Sequence, residues 1–142
     1  YVVETSIGLS RALLVVLADA YDEEEVADST RVVLRLKPSL APIQAAVFPL
    51  VKKDGMPDIA TKLADDLRGT FNIFYDATGS IGRRYRRQDE TGTPFCITID
   101  GQTGEDQMVT VRNRDTLDQT RVPLSQVSRY LHEAIHATDL HA

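Results

Sequence analysis

An unbroken apolar run at residues 45–48 (Ala-Ala-Val-Phe) constrains the fold more than any other segment of this sequence. A strand with one solvated face alternates apolar and polar residues, whereas a continuous apolar run is typical of a strand that is buried on both faces. Pro49 limits the strand, because proline has no N–H group to donate to a sheet ladder. The run therefore predicts a strand that other parts of the chain cover on both sides.

The residues that follow this run alternate between strand and helix patterns. Further strands are predicted at 72–75, 95–100, 108–113 and 119–122. Helices are predicted at 56–67, from residue 81 onward and at 124–137, where apolar residues recur every three or four positions. The resulting order, βαβαβββα, predicts a small α/β domain in which helices pack on a mixed sheet.

The residues before the run form a less regular pattern. A strand is predicted at 1–5 and a second one at 31–37. Ser6 and Gly8 stand where a helix with one apolar face begins. The residues at 21–30 are rich in Asp and Glu, and we expect them to form a solvated acidic linker.

Two prolines, Pro38 and Pro42, then interrupt the pattern and predict a domain boundary near 39–42. The boundary divides the chain into residues 1–41 and 42–142. The sequence opens inside an apolar stretch and lacks an initiator methionine, so we expect it to be a piece of a larger protein.

Charge and cysteine content limit the functions that the chain can have. A net charge of −5 argues against a protein that coats DNA or a membrane, so any contact with nucleic acid should be local. Cys96 is the only cysteine, which excludes an intrachain disulfide and fits a reducing, cytosolic setting. Its place in an alternating strand indicates a packing role rather than a nucleophile. No apolar run approaches the roughly 20 residues that a membrane-spanning helix needs.

The predicted helix after Ser80 concentrates positive charge on this acidic background. It places four arginines within five positions: Arg83, Arg84, Arg86 and Arg87. At about 100° per residue they fall within roughly 160° of arc, and Ile81 and Tyr85 share the opposite face. The pattern predicts an amphipathic helix with an apolar underside and a row of guanidinium groups. Tyr85 is expected to pack in the core rather than to stack on a base.

Two interpretations of the arginines stay open at this point. They can form a solvated face with local ion pairs, for instance between Arg86 and Asp89 or Glu90. Alternatively they bind phosphates and base edges, which the planar guanidinium suits better than an ammonium does.

A second motif, His132-Glu133-Ala-Ile-His136, matches the HExxH pattern of zinc metalloproteases. A catalytic zinc site needs a third protein ligand, but the extended motif would place it at Ala142. His141 is one residue early. We therefore expect two solvated histidines, which can capture a metal ion adventitiously, and no functional metal site.

Three segments resemble the C-terminal anticodon-binding domain of class II (alpha2-type) glycyl-tRNA synthetases. These are 80–100 (SIGRRYRRQDETGTPFCITID), 40–54 (LAPIQAAVFPLVKKD) and 109–116 (VTVRNRDT). Residues 3–11 (VETSIGLSR) are similar to motif 3 of the catalytic domain. The resemblance implies a mixed sheet of about five strands with three helices, preceded by a strand–helix remnant of the catalytic domain. Residues 1–41 would be that remnant, and 42–142 the anticodon-binding domain.

The resemblance also implies a function. The chain would bind the anticodon loop of glycine tRNA, and its parent enzyme would use ATP and Mg²⁺ to make glycyl-adenylate and transfer glycine to the tRNA. The parent is expected to be a cytoplasmic homodimer, formed through regions that this fragment lacks. The fragment itself should have no ligase activity and no cofactor, and neither DNA nor a membrane is an expected partner.

Roles for individual residues follow from the same resemblance. Arg83 is expected to be the principal base-reading arginine, with Asp100 as a hydrogen-bond acceptor for a base. Phosphate or supporting contacts are expected from Arg84, Arg86, Arg87, Arg112 and Arg114. Some of these arginines are expected to pair only with Asp89, Glu90 or Asp115. In the motif 3 segment, Arg11 would bind ATP, and Glu4 and Ser6 would line the glycine pocket.

One position departs from the family pattern. Gly101 stands where many relatives have an aromatic residue or a histidine. If that residue stacks on an anticodon base, this chain lacks the platform.

An alternative is a stand-alone RNA-binding or accessory module with the same fold and no ligase activity. The motif 3 remnant argues against it, because a pure binding module has no use for part of an ATP site.

Overall fold

The computed structural model describes residues 1–26 and 29–137. Its strands are β1 (Tyr21–Val26), β2 (Ser29–Leu34), β3 (Ala45–Pro49), β4 (Ile73–Tyr75), β5 (Phe95–Ile99), β6 (Met108–Asn113) and β7 (Gln119–Pro123). Its α-helices are α1 (Leu9–Ala20), α2 (Met56–Arg68), α3 (Ile81–Thr91), α4 (Thr103–Asp106) and α5 (Val127–Ala137). A 3₁₀ turn at Leu124–Gln126 leads into α5.

Five of the strands form a mixed sheet in the order β4-β3-β5-β6-β7. Strand β3 runs parallel to both β4 and β5, whereas β6 is antiparallel to β5 and to β7. Every residue of β3 and β5 is buried. The predicted α/β domain with a mixed sheet of about five strands and three helices is confirmed, with α4 as an additional single turn.

The two faces of the sheet carry different cores. Alternate residues of β3 and β5, such as Val47 and Ile97, join the buried side chains of α2 and α5 in the main apolar cluster. Their neighbours Phe48 and Cys96 face the other way and pack against α3. The apolar run at 45–48 is therefore covered by helices on both sides, as a strand in this position must be.

The N-terminal part differs from the prediction in two respects. Residues 1–8 form no strand, because no described strand lies beside them to complete a ladder, and Tyr1, Val2 and Val3 are fully exposed. The expected acidic linker is also wrong, since β1 pairs with β2 along its whole length, from Tyr21 opposite Leu34 to Val26 opposite Ser29.

Ion pairs explain why this acidic segment forms a strand. Arg31 of β2 binds Glu24 across the hairpin at 2.7 Å, and Arg35 binds Asp22 at 2.8 Å. Opposite charges on paired strands stabilise a hairpin. The carboxylates that suggested a linker instead form ion pairs with arginines across the two strands. Hereafter, the hairpin means β1 and β2.

Helix α1 connects to this hairpin with its apolar side uncovered. Only Ala20 of the helix is buried, whereas Leu13, Leu14 and Val15 are each more than half exposed. Among the described residues no helix has the length and apolar character that a membrane crossing requires.

Candidate nucleic-acid interface

Helix α3 begins where the sequence predicts, directly after Ser80. Ser80 occupies the N-cap position with an extended backbone, although its side chain makes no capping hydrogen bond. Gly92 ends the helix with φ +82°, a left-handed conformation that favours glycine. A Cβ atom there would also lie 2.9 Å from Leu36 Cδ1 and 3.1 Å from the Leu34 carbonyl oxygen. The glycine thus permits both the helix end and the close approach of the chain that follows β2.

The underside of α3 packs on the sheet through Ile81 and Tyr85. The rings of Tyr85 and Phe48 meet edge to face at 5.8 Å, and the Tyr85 hydroxyl lies 2.7 Å from Thr98 Oγ1. Burial raises the pKa of the Tyr85 hydroxyl above its usual value. The expectation that Tyr85 packs in the core is confirmed.

The four arginines of α3 do not form the single exposed row that the helical wheel predicts. Arg84 is 3% exposed. Its Nη1 donates to the Pro49 carbonyl at 2.5 Å and its Nη2 to the Gly79 carbonyl at 2.8 Å. A long side chain next to the buried face of a helix can fold beneath the helix. Here the carbonyls of Pro49 and Gly79 stabilise that conformation by accepting hydrogen bonds from Arg84.

Arg87 binds α3 to the turn that precedes the helix. It donates to Asp76 Oδ2 and, at 2.8 Å, to the Thr78 carbonyl. Burial alone would raise the pKa of Asp76, but Arg87 and the Thr78 N–H group outweigh burial and hold that pKa below its usual value. Arg87 nevertheless keeps 44% of its side chain exposed.

Arg83 and Arg86 differ from these two. Arg83 is exposed, and within residues 1–26 and 29–137 its side chain makes no hydrogen bond or ion pair. Arg86 is half-buried and reaches Ser29 of the hairpin through a long 3.4 Å hydrogen bond. Arg83 therefore presents the one guanidinium of α3 that has no bonded partner among the described residues.

Arg112 and Arg114 lie beneath the surface rather than on it. Arg112 binds Asp89 of α3 with two nitrogens, at 2.9 and 3.1 Å. Arg114 is 2% exposed and binds Asp115 along with the carbonyls of Gly92 and Leu36. The expected pairing of arginines with Asp89 and Asp115 is confirmed, although the Asp89 partners are Arg112 and Arg31 instead of Arg86.

Asp100 follows β5 and is already engaged by its own loop. Its Oδ1 accepts the N–H groups of Gln102 and Thr103 at 3.0 and 3.1 Å, which starts the single turn of α4. Its Oδ2 accepts Arg121 Nη1 at 2.5 Å. The sequence analysis did not identify Arg121 as a partner of Asp100. The β6–β7 register, which sets Arg121 opposite Thr110, brings its side chain to Asp100.

A shallow cleft of about 280 Å³ lies beside α3, on the part of the sheet that this helix leaves uncovered. Residues of α3, of strands β5, β6 and β7, and directly after β3 and β5 line it: Leu50, Ile81, Tyr85, Thr98, Asp100, Thr110 and Gln119. The Gln119 side chain is exposed and makes no hydrogen bond to the described residues. The cleft thus combines an apolar wall with hydroxyl, amide and carboxylate groups, the mixture that small planar polar ligands require.

The other predicted site residues lie apart from any such arrangement. Glu4 and Ser6 lie in the irregular segment before α1, Arg11 lies on α1, and all three are exposed. Gly101 has room for a side chain, because a Cβ atom would meet only Met56 Cε at 3.8 Å.

His132 and His136 are exposed neighbours with ring centroids 4.6 Å apart. Glu133 is bound to Arg129 at 2.7 Å. Within the described ranges no three His, Cys, Asp or Glu side chains are grouped as a metal site would need. His141 and Ala142, which entered the zinc argument, fall outside those ranges.

Cys96 is buried in β5, and burial raises the pKa of its thiol to about 12. The thiol is therefore protonated at neutral pH, and the expected packing role is confirmed.

Comparison with known proteins agrees with this geometry. Residues 44–134 match the family model of the anticodon binding domain. The chain is 55% identical over 132 residues to a glycine–tRNA ligase of Rhodopirellula baltica, and 53% identical over 135 residues to that of Caldanaerobacter subterraneus. These alignments cover 89% and 95% of this chain but only 25% and 29% of the relatives. The chain thus spans under a third of their length.

Two solved structures share the fold at low sequence identity. The RNA binding domain of threonyl-tRNA synthetase from Cryptosporidium parvum superimposes with a TM-score of 0.64 at 23% identity. The superposition covers 70% of this chain and 25% of the chain in that structure. Prolyl-tRNA synthetase from the same organism gives a TM-score of 0.65 at 20% identity, covering 73% and 24%.

Proposed function

Because the chain belongs to the anticodon-binding domain family, we propose that it binds the anticodon loop of glycine tRNA as part of a glycine–tRNA ligase. The observation that carries the proposal is Arg83, an exposed guanidinium without a bonded partner among the described residues, on a helix whose other arginines are anchored. The anchored helix fixes the backbone at Arg83, so the ordering entropy lost when RNA binds is mainly that of the Arg83 side chain, about 0.5–1.5 kcal/mol.

The chemistry of the anticodon suits this surface. Glycine codons begin with two guanines, so the last two anticodon bases are cytosines. A cytosine offers O2 and N3 as acceptors and its N4 amino group as a donor. Arg83 would donate to the acceptors of one cytosine. The cleft, which lies on the Ile81 and Tyr85 side of α3, would accept the N4 amino group of the other cytosine through Asp100 or the unbonded Gln119.

The remaining arginines divide by exposure. Arg86 and Arg87 keep accessible surface and would contact phosphates. Arg84, Arg112 and Arg114 are buried and bonded within the protein, so we now assign them to holding the interface in place. RNA loops are recognised by bases that splay onto a protein surface, and a surface with one free arginine and a polar cleft meets that requirement.

The whole ligase would supply the chemistry. It would activate glycine with ATP and Mg²⁺, and Arg11, Glu4 and Ser6 would complete sites formed mainly by other parts of the enzyme. No magnesium ligand is proposed in this chain, since its described residues hold no suitable cluster. We also propose that the ligase is cytoplasmic, in keeping with its relatives' activity, and homodimeric, as the resemblance to class II glycyl-tRNA synthetases implies.

The division into residues 1–41 and 42–142 stays a proposal. The bonds from the hairpin to α3 and β6 favour grouping the hairpin with the second unit.

Binding of a glycine anticodon stem-loop to Arg83→Ala tests the proposal. We expect a loss of about 1–3 kcal/mol in binding, together with a weaker preference for cytosine over other bases. Arg129→Ala on α5 is the matched control, because it removes an exposed arginine from the helix that packs on the opposite face of the sheet from α3. If Arg83→Ala binds cytosine and non-cytosine loops as the unmodified chain does, Arg83 does not read the base.

A further inference from the structure

The carboxylate of Asp89 joins three elements at one buried point. Asp89 lies on α3 and is 0% exposed. It accepts Arg31 Nε from the hairpin at 2.8 Å. From β6 it accepts both terminal nitrogens of Arg112, at 2.9 and 3.1 Å. Charge-assisted hydrogen bonds of this kind are among the strongest in proteins, and here water does not compete for them.

Arg31 extends the connection from Asp89 through the hairpin. It is 2% exposed, and its other nitrogens bind Glu24 of β1 at 2.7 Å and the carbonyl of Arg114 at 2.7 Å. Arg31 therefore uses each of its three nitrogens to bind a different part of the protein: α3, the neighbouring strand and the end of β6. A lysine could not do so, because its ammonium lacks the planar fork.

Apolar packing holds this hairpin only weakly. Val33 is the one fully buried apolar side chain of β1 and β2. A small separate cluster of Ala20, Leu36 and Ala41 includes only Leu34 of the hairpin, partly buried. Separation of the hairpin from α3 would expose mainly these few side chains, so the bonds around Asp89 contribute a large share of what holds it closed.

We propose that Asp89 couples occupancy of the α3 surface to closure of the hairpin, through Arg31. The inference rests on the proposed function, since it takes the anticodon loop as the ligand of α3. The bonds of Arg84 and Arg87 hold α3 to residues at its N-terminal end. Bound RNA would order the C-terminal end of α3 as well, and a better-ordered Asp89 would favour the closed hairpin. Because the hairpin continues directly into α1, closure also sets where the segment N-terminal to the domain lies.

Hydrogen exchange on this chain, with and without a saturating glycine anticodon stem-loop, tests the coupling. In the unmodified chain we expect RNA to slow exchange of the β2 amides at Val32, Val33 and Leu34 by threefold or more. The amides of α5 serve as the internal control and should not change. Unaltered β2 exchange at saturation would overturn the coupling.

The variant Arg31→Lys separates coupling from folding. It keeps the charge beside Asp89 but loses the bonds to Glu24 and to the Arg114 carbonyl. We expect stem-loop affinity within threefold of the unmodified chain and an RNA-dependent slowing at β2 of less than half its original size. If basal exchange rises while the RNA-dependent slowing is retained, Arg31 is merely structural and the inference is wrong.

The two proposals fail in different ways. A separate titration that detects no stem-loop binding refutes the proposed function and, with it, the ligand assumed here. Binding without any slowing at β2 refutes only the coupling.

Discussion

Helices α1 and α3 show opposite relations between residue type and burial. Helix α1 is rich in Leu and Val, yet Ala20 is its only buried residue. Helix α3 is rich in arginine, yet Arg84, Gln88 and Asp89 are buried. The difference lies in the surroundings, because α3 meets carbonyls and carboxylates that satisfy its polar groups. Among the described residues, the apolar side of α1 is covered only at its C-terminal end, where Ala20 packs with Leu36 and Ala41. Burial follows the partners that the fold supplies, and hydrophobicity alone does not predict it.

The largest effect should come from Asp89→Asn. This change leaves two buried guanidinium groups without their shared charge, and we expect a loss of about 3–5 kcal/mol in the free energy of unfolding. Urea denaturation measures it. Glu90→Gln, at the next and exposed position, is the control and should stay within about 0.5 kcal/mol of the unmodified chain. Equal losses for both variants would contradict the role assigned to Asp89.

Adjacent arginines on α3 should separate stability from RNA binding. Arg84→Met leaves the carbonyls of Pro49 and Gly79 without their donor, and we expect it to cost about 1–3 kcal/mol of folding stability. Arg83→Met should cost almost none, because that side chain makes no hydrogen bond or ion pair with the described residues.

Denaturation and stem-loop binding of the two variants would be measured side by side. We expect Arg83→Met to weaken binding while Arg84→Met, if folded, retains most of it. The reverse pattern would show that Arg84 contacts RNA.

Acid should loosen the N-terminal end of α3 through Asp76. Its folded-state pKa is held below the ordinary value near 3.8. The associated stability is therefore present above about pH 4 and is lost as the pH falls through the folded pKa. Arg87→Met should remove the part of this contribution that comes from Arg87, on the order of 1 kcal/mol or less, and reduce the loss between pH 5 and pH 2–3, whereas the hydrogen bond from the Thr78 N–H group remains. Urea midpoints across that range test it, and an unchanged acid loss in the variant would assign it to other carboxylates.

The smallest effect should come from the apolar side of α1. Leu13→Ser and Leu14→Ser replace side chains that are 57% and 66% exposed, so we expect changes in stability within about 0.5 kcal/mol. Leu131→Ala on α5 is the contrasting control, because it empties a fully buried site and should cost about 2–5 kcal/mol. A loss above 1 kcal/mol for either serine variant, measured by denaturation, would mean that α1 stabilises this chain through contacts other than burial.

Periodicity predicted the central domain well because its signals are local. The apolar run at 45–48, the alternation around Cys96 and Ser80 before α3 each identify an element without reference to distant residues. The hairpin was missed for the opposite reason. Its acidic strand is stabilised by arginines that follow it, and a charge count over one segment cannot reveal which strand will face it.

The candidate site was predictable in position but not in detail. The arginine cluster identified α3, and Arg83 is available as expected. Which arginines fold inward depended on Pro49, Gly79 and Asp76, which lie in other elements. The contribution of Arg121 to the Asp100 loop likewise required the β6–β7 register.

The amino-acid sequence by itself determined the order of the main strands and helices from residue 45 onward, the family and the placing of four arginines on one helix, because each depends on residues close together in the chain. Only the tertiary structure decided that Arg84 is buried while Arg83 is free, and that Asp89 binds the hairpin to the sheet. The covalent structure of arginine allows its guanidinium to lie either on the surface or in the core. Its place is decided by whether oxygen acceptors from distant segments meet it there, and folding alone brings those segments together.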